Sequence, residues 1–261
     1  MNQINFLKKY LFRRDIYWKV KEKIYQFIRK NTRNAFTDQK RLLNNIENGV
    51  IFDVGAHIGD TTELYRKYFF GSRIYCFEPF SESFDTLKKR FVNDSTINIV
   101  EKALGSKDET KTLYISNLSN MNSLQKPKEL AWGFSNKKSV DVEITTLDQF
   151  CYKNDIKHID ILKLDVQGSE LDILFGSKTI LEKGNISLIY VEWQVTPLYE
   201  NHHKYYKIAE FLAGFEYEFF NIYNINEARS GQIRWGDAIY TSKILREKML
   251  SKYGAGAGSG W

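Results

Sequence analysis

The chain has 261 residues, of which 43% are hydrophobic, and carries a formal net charge of +6. That length buries a full core without staples and fits one large α/β domain with an added segment, or two small domains. Its two cysteines, Cys76 and Cys151, lie outside any C-x-x-C or Cys/His cluster, which excludes a disulfide scaffold and structural zinc and suits a reducing compartment.

The basic excess is concentrated at the start, where residues 1–41 contain only Asp15, Glu22 and Asp38 as acids. Such an excess raises nucleic acid or an anionic membrane as partners. Phe6, Tyr10, Tyr17, Val20, Ile24, Phe27 and Ile28 recur at helical spacing, so residues 1–34 read as a basic, aromatic helical segment. It has three readings: an appendage packed on the main domain, a homodimer contact, or a helix lying on an acidic membrane surface. Lys8, Lys9, Arg13 and Arg14 interrupt any secretory apolar region, and no run reaches transmembrane length. The expected location is the cytoplasm, with peripheral contact at the inner membrane face left open. A further helix is expected over residues 37–48.

Residues 50–54, Val-Ile-Phe-Asp-Val, form an apolar run broken only by Asp53, the pattern of a strand covered on both faces. A turn bracketed by Gly55 and Gly59 follows, and Asp60, Thr61 and Thr62 offer caps for a helix over residues 61–70. A glycine turn at a strand's carboxyl end lets backbone approach a ligand, and the helix start presents free N–H groups. The order is Asp-x-Gly-x-x-x-Gly, with His57 where a dinucleotide fingerprint has its middle glycine. An acid before the turn suits a cationic amino-acid moiety better than a pyrophosphate. The next strand, residues 74–77, ends at Glu78, placed to accept hydrogen bonds from a ribose diol. Together Asp53, Gly55, Gly59 and Glu78 resemble the S-adenosylmethionine site of Rossmann-like methyltransferases, which would also include His57 and Thr61 of the same turn.

Ser81 is read as the cap of a helix running to about residue 91, and residues 97–101 as a third strand. Ala103-Leu104-Gly105 then falls where a loop would face an adenine. Residues 112–116 and 140–145 alternate as strands around a long polar stretch, 117–138, read as a lid over the substrate site or, failing that, as a disordered loop. Thr146 caps a short helix. A strong strand, residues 159–165, ends at Asp165, and Gly168-Ser169-Glu170 opens a helix expected to reach residue 181. A fifth strand over residues 186–191 ends at Glu192. Residues 205–212 read as a helix, and 215–222 and 238–241 as two final strands joined by residues 223–235. Residues 254–261 have no core-forming pattern and read as a flexible tail, set off from about residue 251.

Several motifs occur together in order: residues 53–61, Phe77-Glu78-Pro79, Ala103-Leu104-Gly105, Thr146-Leu147-Asp148, Lys163-Leu164-Asp165-Val166-Gln167-Gly168-Ser169-Glu170 and Val191-Glu192. In this the chain resembles the FkbM family of S-adenosylmethionine-dependent methyltransferases over about residues 50–240. The resemblance implies a Rossmann-like class I methyltransferase fold, a seven-stranded, mostly parallel sheet with an antiparallel last strand. It assigns residues 49–250 to that domain, after a basic helical segment at 1–48. One departure is Gln167, where the family usually has Glu. The implied reaction is O-methylation of a hydroxyl on a sugar or glycan, in bacterial surface polysaccharide or natural-product biosynthesis.

Asp165, Glu192 and His202 or His203 are the candidate bases for a hydroxyl acceptor, and Asp237 is a weaker one. Asp165 also falls within reach of the cofactor. Asp165 and Glu192 could instead ligate a magnesium ion. Trp193, Tyr199 and Trp235 are candidates for a platform under a sugar ring. The rival functions are an RNA methyltransferase, suggested by charge but lacking an Asn/Asp-Pro-Pro-aromatic motif, and a non-catalytic module tethered through residues 1–34. The expected acceptor is a small molecule or glycan rather than nucleic acid.

Overall fold

A computed structural model describes residues 34–253, apart from 45, 129–137, 197, 201 and 202. The N-terminal segment proposed as membrane or dimer contact, His202 and the tail beyond residue 253 lie outside the described residues.

Four largely buried strands and one half-exposed edge strand, Ile97–Val100, build the parallel part of the sheet. β1 (Val50–Val54), β2 (Arg73–Phe77), β3 (Ile97–Val100), β7 (Ile159–Leu164) and β8 (Ile186–Gln194) pair in parallel. β9 (Glu218–Glu227) and β10 (Ile233–Thr241) complete seven strands in the order β3-β2-β1-β7-β8-β10-β9, with β10 antiparallel to both neighbours. This is the expected class I methyltransferase arrangement. A second sheet of three strands, β4 (Ala103–Leu104), β6 (Lys138–Thr145) and β5 (Glu109–Ile115), stands beside it.

Alternate residues of each central strand face opposite helical layers. Phe52, Leu162 and Ile189 face one side, with α4 (Leu147–Lys153), α5 (Glu170–Phe175), α6 (Lys178–Glu182) and α7 (Tyr205–Ala213) packed there. Ile51, Ile161, Leu188 and Ile239 face the other side, under α1 (Ala35–Leu42), α2 (Asp60–Tyr68), α3 (Ser81–Arg90) and α8 (Lys243–Tyr253). Each such fully buried side chain contributes about 1.5–3 kcal/mol of transfer free energy.

Four expectations change. α2 begins at Gly59 in a left-handed conformation with no side-chain cap; Thr62 turns inward and donates to Asp53 instead. Ser81 is inside α3, whose cap is the uncapped backbone of Phe80. The helix expected to run from residue 168 to 181 breaks at Gly176, where a Cβ would sit 2.0 Å from the Gly105 carbonyl oxygen. The final hairpin is longer than its apolar pattern, because β9 and β10 satisfy each other's backbone through residues 218–241 while β9 stays largely exposed. Asp237 and Trp235 therefore lie inside a strand. Thr146 does cap α4, accepting from Gln149 N at 3.1 Å.

Candidate active site

Parallel strands deliver their carboxyl ends to one edge, so residues far apart in sequence meet there. β1 delivers Asp53. Its carboxylate is fully buried, accepts from Thr62 Oγ1 at 2.7 Å and lies 3.0 Å from Lys163 Nζ. Lys163 is the single lysine in the apolar strand β7. Its ammonium also donates to the carbonyls of Val54 (3.2 Å) and Gly55 (2.9 Å). Burial pulls the Lys163 pKa down, but the charges of Asp53 and Asp165 outweigh it and the net direction is upward. Asp53 thus holds a lysine that holds the turn.

The turn itself leaves no room for a side chain. Gly55 has φ +76°, and a Cβ there would lie 1.9 Å from the Asp165 carbonyl oxygen. The β1 and β7 ends therefore close on each other only through glycine. Next along, His57 donates its N–H to Glu78 Oε2 at 2.8 Å, and Phe80 N–H donates to Glu78 Oε1 at 2.9 Å. Burial raises the Glu78 pKa to about 7 against the pull of these two N–H groups. Burial lowers that of His57, whose Nε2 lies 2.7 Å from Ser119 Oγ.

Two adjoining chambers open at this edge. The first, about 560 Å³ counting the open solvent at its mouth, is lined by Gly55, His57, Glu78, Ala103, Asp165 and the apolar side chains of Phe77, Leu104 and Leu113, among others. The second, about 880 Å³, is lined by Glu192, Gln194, Thr196, Leu198, Arg234, Trp235 and Met121. Asn120 and Gln167 belong to both walls. The roof is the described part of the expected lid. It is tied down where Ser123 Oγ donates to the Gln167 carbonyl (2.7 Å) and Gln125 Nε2 to Asp172 (3.0 Å).

Gln167 is the partition. Its Nε2 donates to Asp165 Oδ1 at 3.1 Å and to Glu192 Oε2 at 3.0 Å. Gln194 Nε2 gives Glu192 a second donor at 3.0 Å. An amide N–H₂ between two carboxylates satisfies both and separates their charges; a glutamate at this position would bring a third carboxylate into contact. The loop is braced from behind by buried Glu170, which accepts from Val166 N (3.0 Å) and from Gly168 N (3.1 Å). Burial, then the charge of Asp165, drives the Glu192 pKa well above the ordinary glutamate value.

Of the residues singled out from sequence, Gly55, His57, Glu78, Ala103 and Asp165 meet around the first chamber, and Glu192 stands in the second. Asp53 is sealed behind the turn, and Gly59 and Thr61 do not line either chamber. His203 sits 3.3 Å from Asp172, away from both chambers. Asp237 is opposite Glu192 in register, but Tyr190 OH (2.7 Å) and Asn224 Nδ2 (2.6 Å) occupy its carboxylate. Tyr199 is core, fully buried beneath the Gly168 turn; Trp235 lines the second chamber. For the pair proposed as magnesium ligands, a donor amide bridges Asp165 and Glu192, and among the described residues no group of three or more His, Cys, Asp or Glu is arranged to hold a metal. Sequence reasoning missed Lys163, Asn120 and Arg234. Only Lys163 left a signal, a lysine in a run meant to be buried.

Residues 53–219 match the methyltransferase FkbM domain. The chain is 25% identical over 178 residues to the 2-O-methyltransferase NoeI of Sinorhizobium fredii (strain NBRC 101917 / NGR234), covering 64% of this chain and 72% of that protein. It is 27% identical over 146 residues to Methyltransferase 1 of Beauveria bassiana (strain ARSEF 2860), covering 50% of this chain and 59% of that protein. Among solved structures, an rRNA methylase from Streptococcus thermophilus aligns with TM-score 0.46 and 9% identity, covering 79% of this chain and 94% of that one.

Proposed function

The chain belongs to the FkbM family of S-adenosylmethionine-dependent methyltransferases, and on that premise we propose that it methylates a hydroxyl oxygen of a sugar or glycan. The observation that carries this reading is the second chamber. It adjoins the first across Gln167 and holds a glutamate whose burial suits it to take a proton. The name of the Sinorhizobium relative records transfer to an oxygen, which supports the same acceptor atom.

The first chamber fits the cofactor. The Gly55 turn brings bare backbone to its wall, Glu78 offers carboxylate oxygens there, and Phe77, Leu104 and Leu113 give an apolar face. In this assignment Glu78 takes the ribose hydroxyls, the wall around Ala103 takes the adenine, and Asp165 takes the ammonium of the amino-acid end. When bound, S-adenosylmethionine supplies an electrophilic methyl on a sulfonium. Asp53 acts at one remove, through Lys163 and the Val54 and Gly55 carbonyls. Glu192 accepts the acceptor's proton, and Gln167 and Gln194 keep its carboxylate aimed while Asn120 and Met121 roof the chamber. Fixing an acceptor oxygen against a methyl group supplies much of the rate, and a placed base adds about 10²–10⁴-fold.

Labelled S-adenosylmethionine, offered with panels of saccharides, carboxylates, amines and RNA, tests the reading. Alkali-stable label on a sugar is the expected product. Alkali-labile ester, or label on nitrogen, would sink it.

Glu78 gives a pH test of the cofactor assignment. With a pKa of about 7 it gains its charge between pH 6 and 8, and the charged form is the stronger acceptor for two hydroxyls. Affinity for S-adenosylhomocysteine should therefore rise severalfold across that window by calorimetry, and Glu78→Gln should bind more weakly with no such rise. A flat wild-type profile argues against the assignment.

Of the described residues, no helix is long and apolar enough to cross a membrane.

A further inference from the structure

The second chamber does not end at Trp235. A third cavity, about 770 Å³, meets it at Gln194 and runs past Lys128, Tyr199, Lys204, Tyr205 and Tyr206. Lys128 N–H donates to the Leu198 carbonyl at 3.0 Å, so the same rim walls both cavities. These volumes take in open solvent; the cavities proper, about 330 Å³ and 400 Å³, lie at the lower end of the roughly 300–1,000 Å³ that takes one small ligand. Two in series take something longer than a single ring.

The lining has a definite chemistry. Tyr205 and Tyr206 are large rings left 48% and 45% exposed at the start of α7, set at 80° to each other. Trp193 packs behind Tyr205 at 5.8 Å and fixes it. Such rings are amphipathic surfaces that bind flat, hydroxylated rings at low entropic cost, and Lys204 and Lys207 stand over the Tyr206 ring at 5.9 and 5.7 Å, adding positive charge beside it. Amides and a hydroxyl, Gln194, Asn120 and Thr196, supply donors and acceptors between them. Arg234 stacks its guanidinium 4.5 Å over Trp235 and uses Nε to donate to Asn226. No carboxylate pairs with Arg234, Lys128 or Lys204 among the described residues, whereas Glu200 on the same cavity is paired with Lys126 at 2.8 Å. A stacked guanidinium with its outer N–H edge open is a fork for a carboxylate or phosphate.

We propose that the acceptor is an acidic oligosaccharide: the sugar to be methylated occupies the second chamber with an anionic group on Arg234, and the adjoining units lie over Tyr205 and Tyr206 beside Lys128 and Lys204. This rests on the sugar-hydroxyl reading above. A nucleic acid is the other polyanion that stacks on aromatic faces. Among the described residues three cations line the groove, few beside the roughly 6–10 phosphate contacts of a protein whose nucleic-acid affinity depends steeply on salt, so the groove favours a glycan of sparse charge.

The test uses the full chain saturated with S-adenosylhomocysteine and fluorescence anisotropy of end-labelled probes. The probes are di- and hexasaccharides of alternating uronate and hexosamine, a phosphodiester-linked glycan of matched length, a neutral hexasaccharide and an RNA hexamer. Expected is binding of one acidic hexamer at least tenfold tighter than its dimer and than the neutral hexamer; the better of the uronate and phosphate arms names the anion. Tyr205→Ala/Tyr206→Ala should bring the hexamer down to the dimer, and Arg234→Gln should cut the preference for acid severalfold, each with S-adenosylhomocysteine affinity unchanged as the check on folding. Equal binding of neutral and acidic probes, no gain with length, indifference to these substitutions, or tightest binding of RNA overturns the proposal. Alkali-stable transfer to a sugar whose KM ignores length, charge and these residues retires the groove alone; transfer to no sugar hydroxyl retires the underlying reading with it.

Discussion

Lys163→Met is expected to lower unfolding stability by about 3–5 kcal/mol, the cost of leaving one partner of a buried pair unmatched. The fully buried Asp53 would keep only the Thr62 hydroxyl, and the carbonyls of Val54 and Gly55 would lose their shared donor. Because those carbonyls belong to the turn that lines the chamber proposed to hold the cofactor, methyl-donor affinity should fall by more than tenfold as well. The double variant Asp53→Asn/Lys163→Met separates charge from shape. Replacing both ions by neutral groups removes the orphaned charge, so it should recover a large part of the lost stability while cofactor affinity stays low. Urea denaturation of the two single variants and the double variant gives the coupling. A Lys163→Met protein within about 1 kcal/mol of the parent would show that water reaches Asp53 and that the pair does not set the turn.

That pair also marks where the sequence stops being legible. The acid at the end of β1 and the glycine turn announce a ligand site, and Gly55, His57, Glu78, Ala103 and Asp165 do meet around one chamber. The direction in which Asp53 points depends on a residue 110 positions later, and strand periodicity does not say what a lysine in an apolar run will face. Desolvation marks the pair, since an ammonium on a buried strand needs a carboxylate, and Asp53 sits on a strand of the same kind. Gln167 is harder. Its departure from the family's usual glutamate is visible, but its task depends on Glu192 arriving from the neighbouring strand within 3.0 Å of its amide. The last hairpin is only partly legible for another reason: β9 alternates poorly because most of it is exposed, and backbone pairing with β10 rather than burial sustains it. The Gly176 break is a packing event against Gly105 that no local pattern in α5 or α6 records.

Glu192→Gln is expected to lower kcat by about 10²–10⁴-fold while leaving S-adenosylhomocysteine affinity within a few-fold of the parent, since the side chain lines the second chamber and not the first. A glutamine keeps the shape and loses the proton acceptor. The pH profile discriminates this role from a merely structural one. Burial and the charge of Asp165 hold the Glu192 pKa well above the ordinary glutamate range, so the ionised base is scarce at low pH and increases tenfold per pH unit until that raised value is passed. The rate at subsaturating acceptor should climb along the same limb, and the limb should vanish in Glu192→Gln. Stability must run the other way. The folded state binds this proton more tightly than the unfolded chain, so between the ordinary and the raised pKa the protein loses stability as pH rises, and Glu192→Gln should be relieved of that loss. Gln167→Glu supplies the converse: a third carboxylate beside Asp165 and Glu192 pushes the base's pKa higher still and moves the rate limb to higher pH. An activity limb that survives in Glu192→Gln, with kcat within threefold of the parent, would assign proton removal to another group and leave Glu192 as part of the chamber wall.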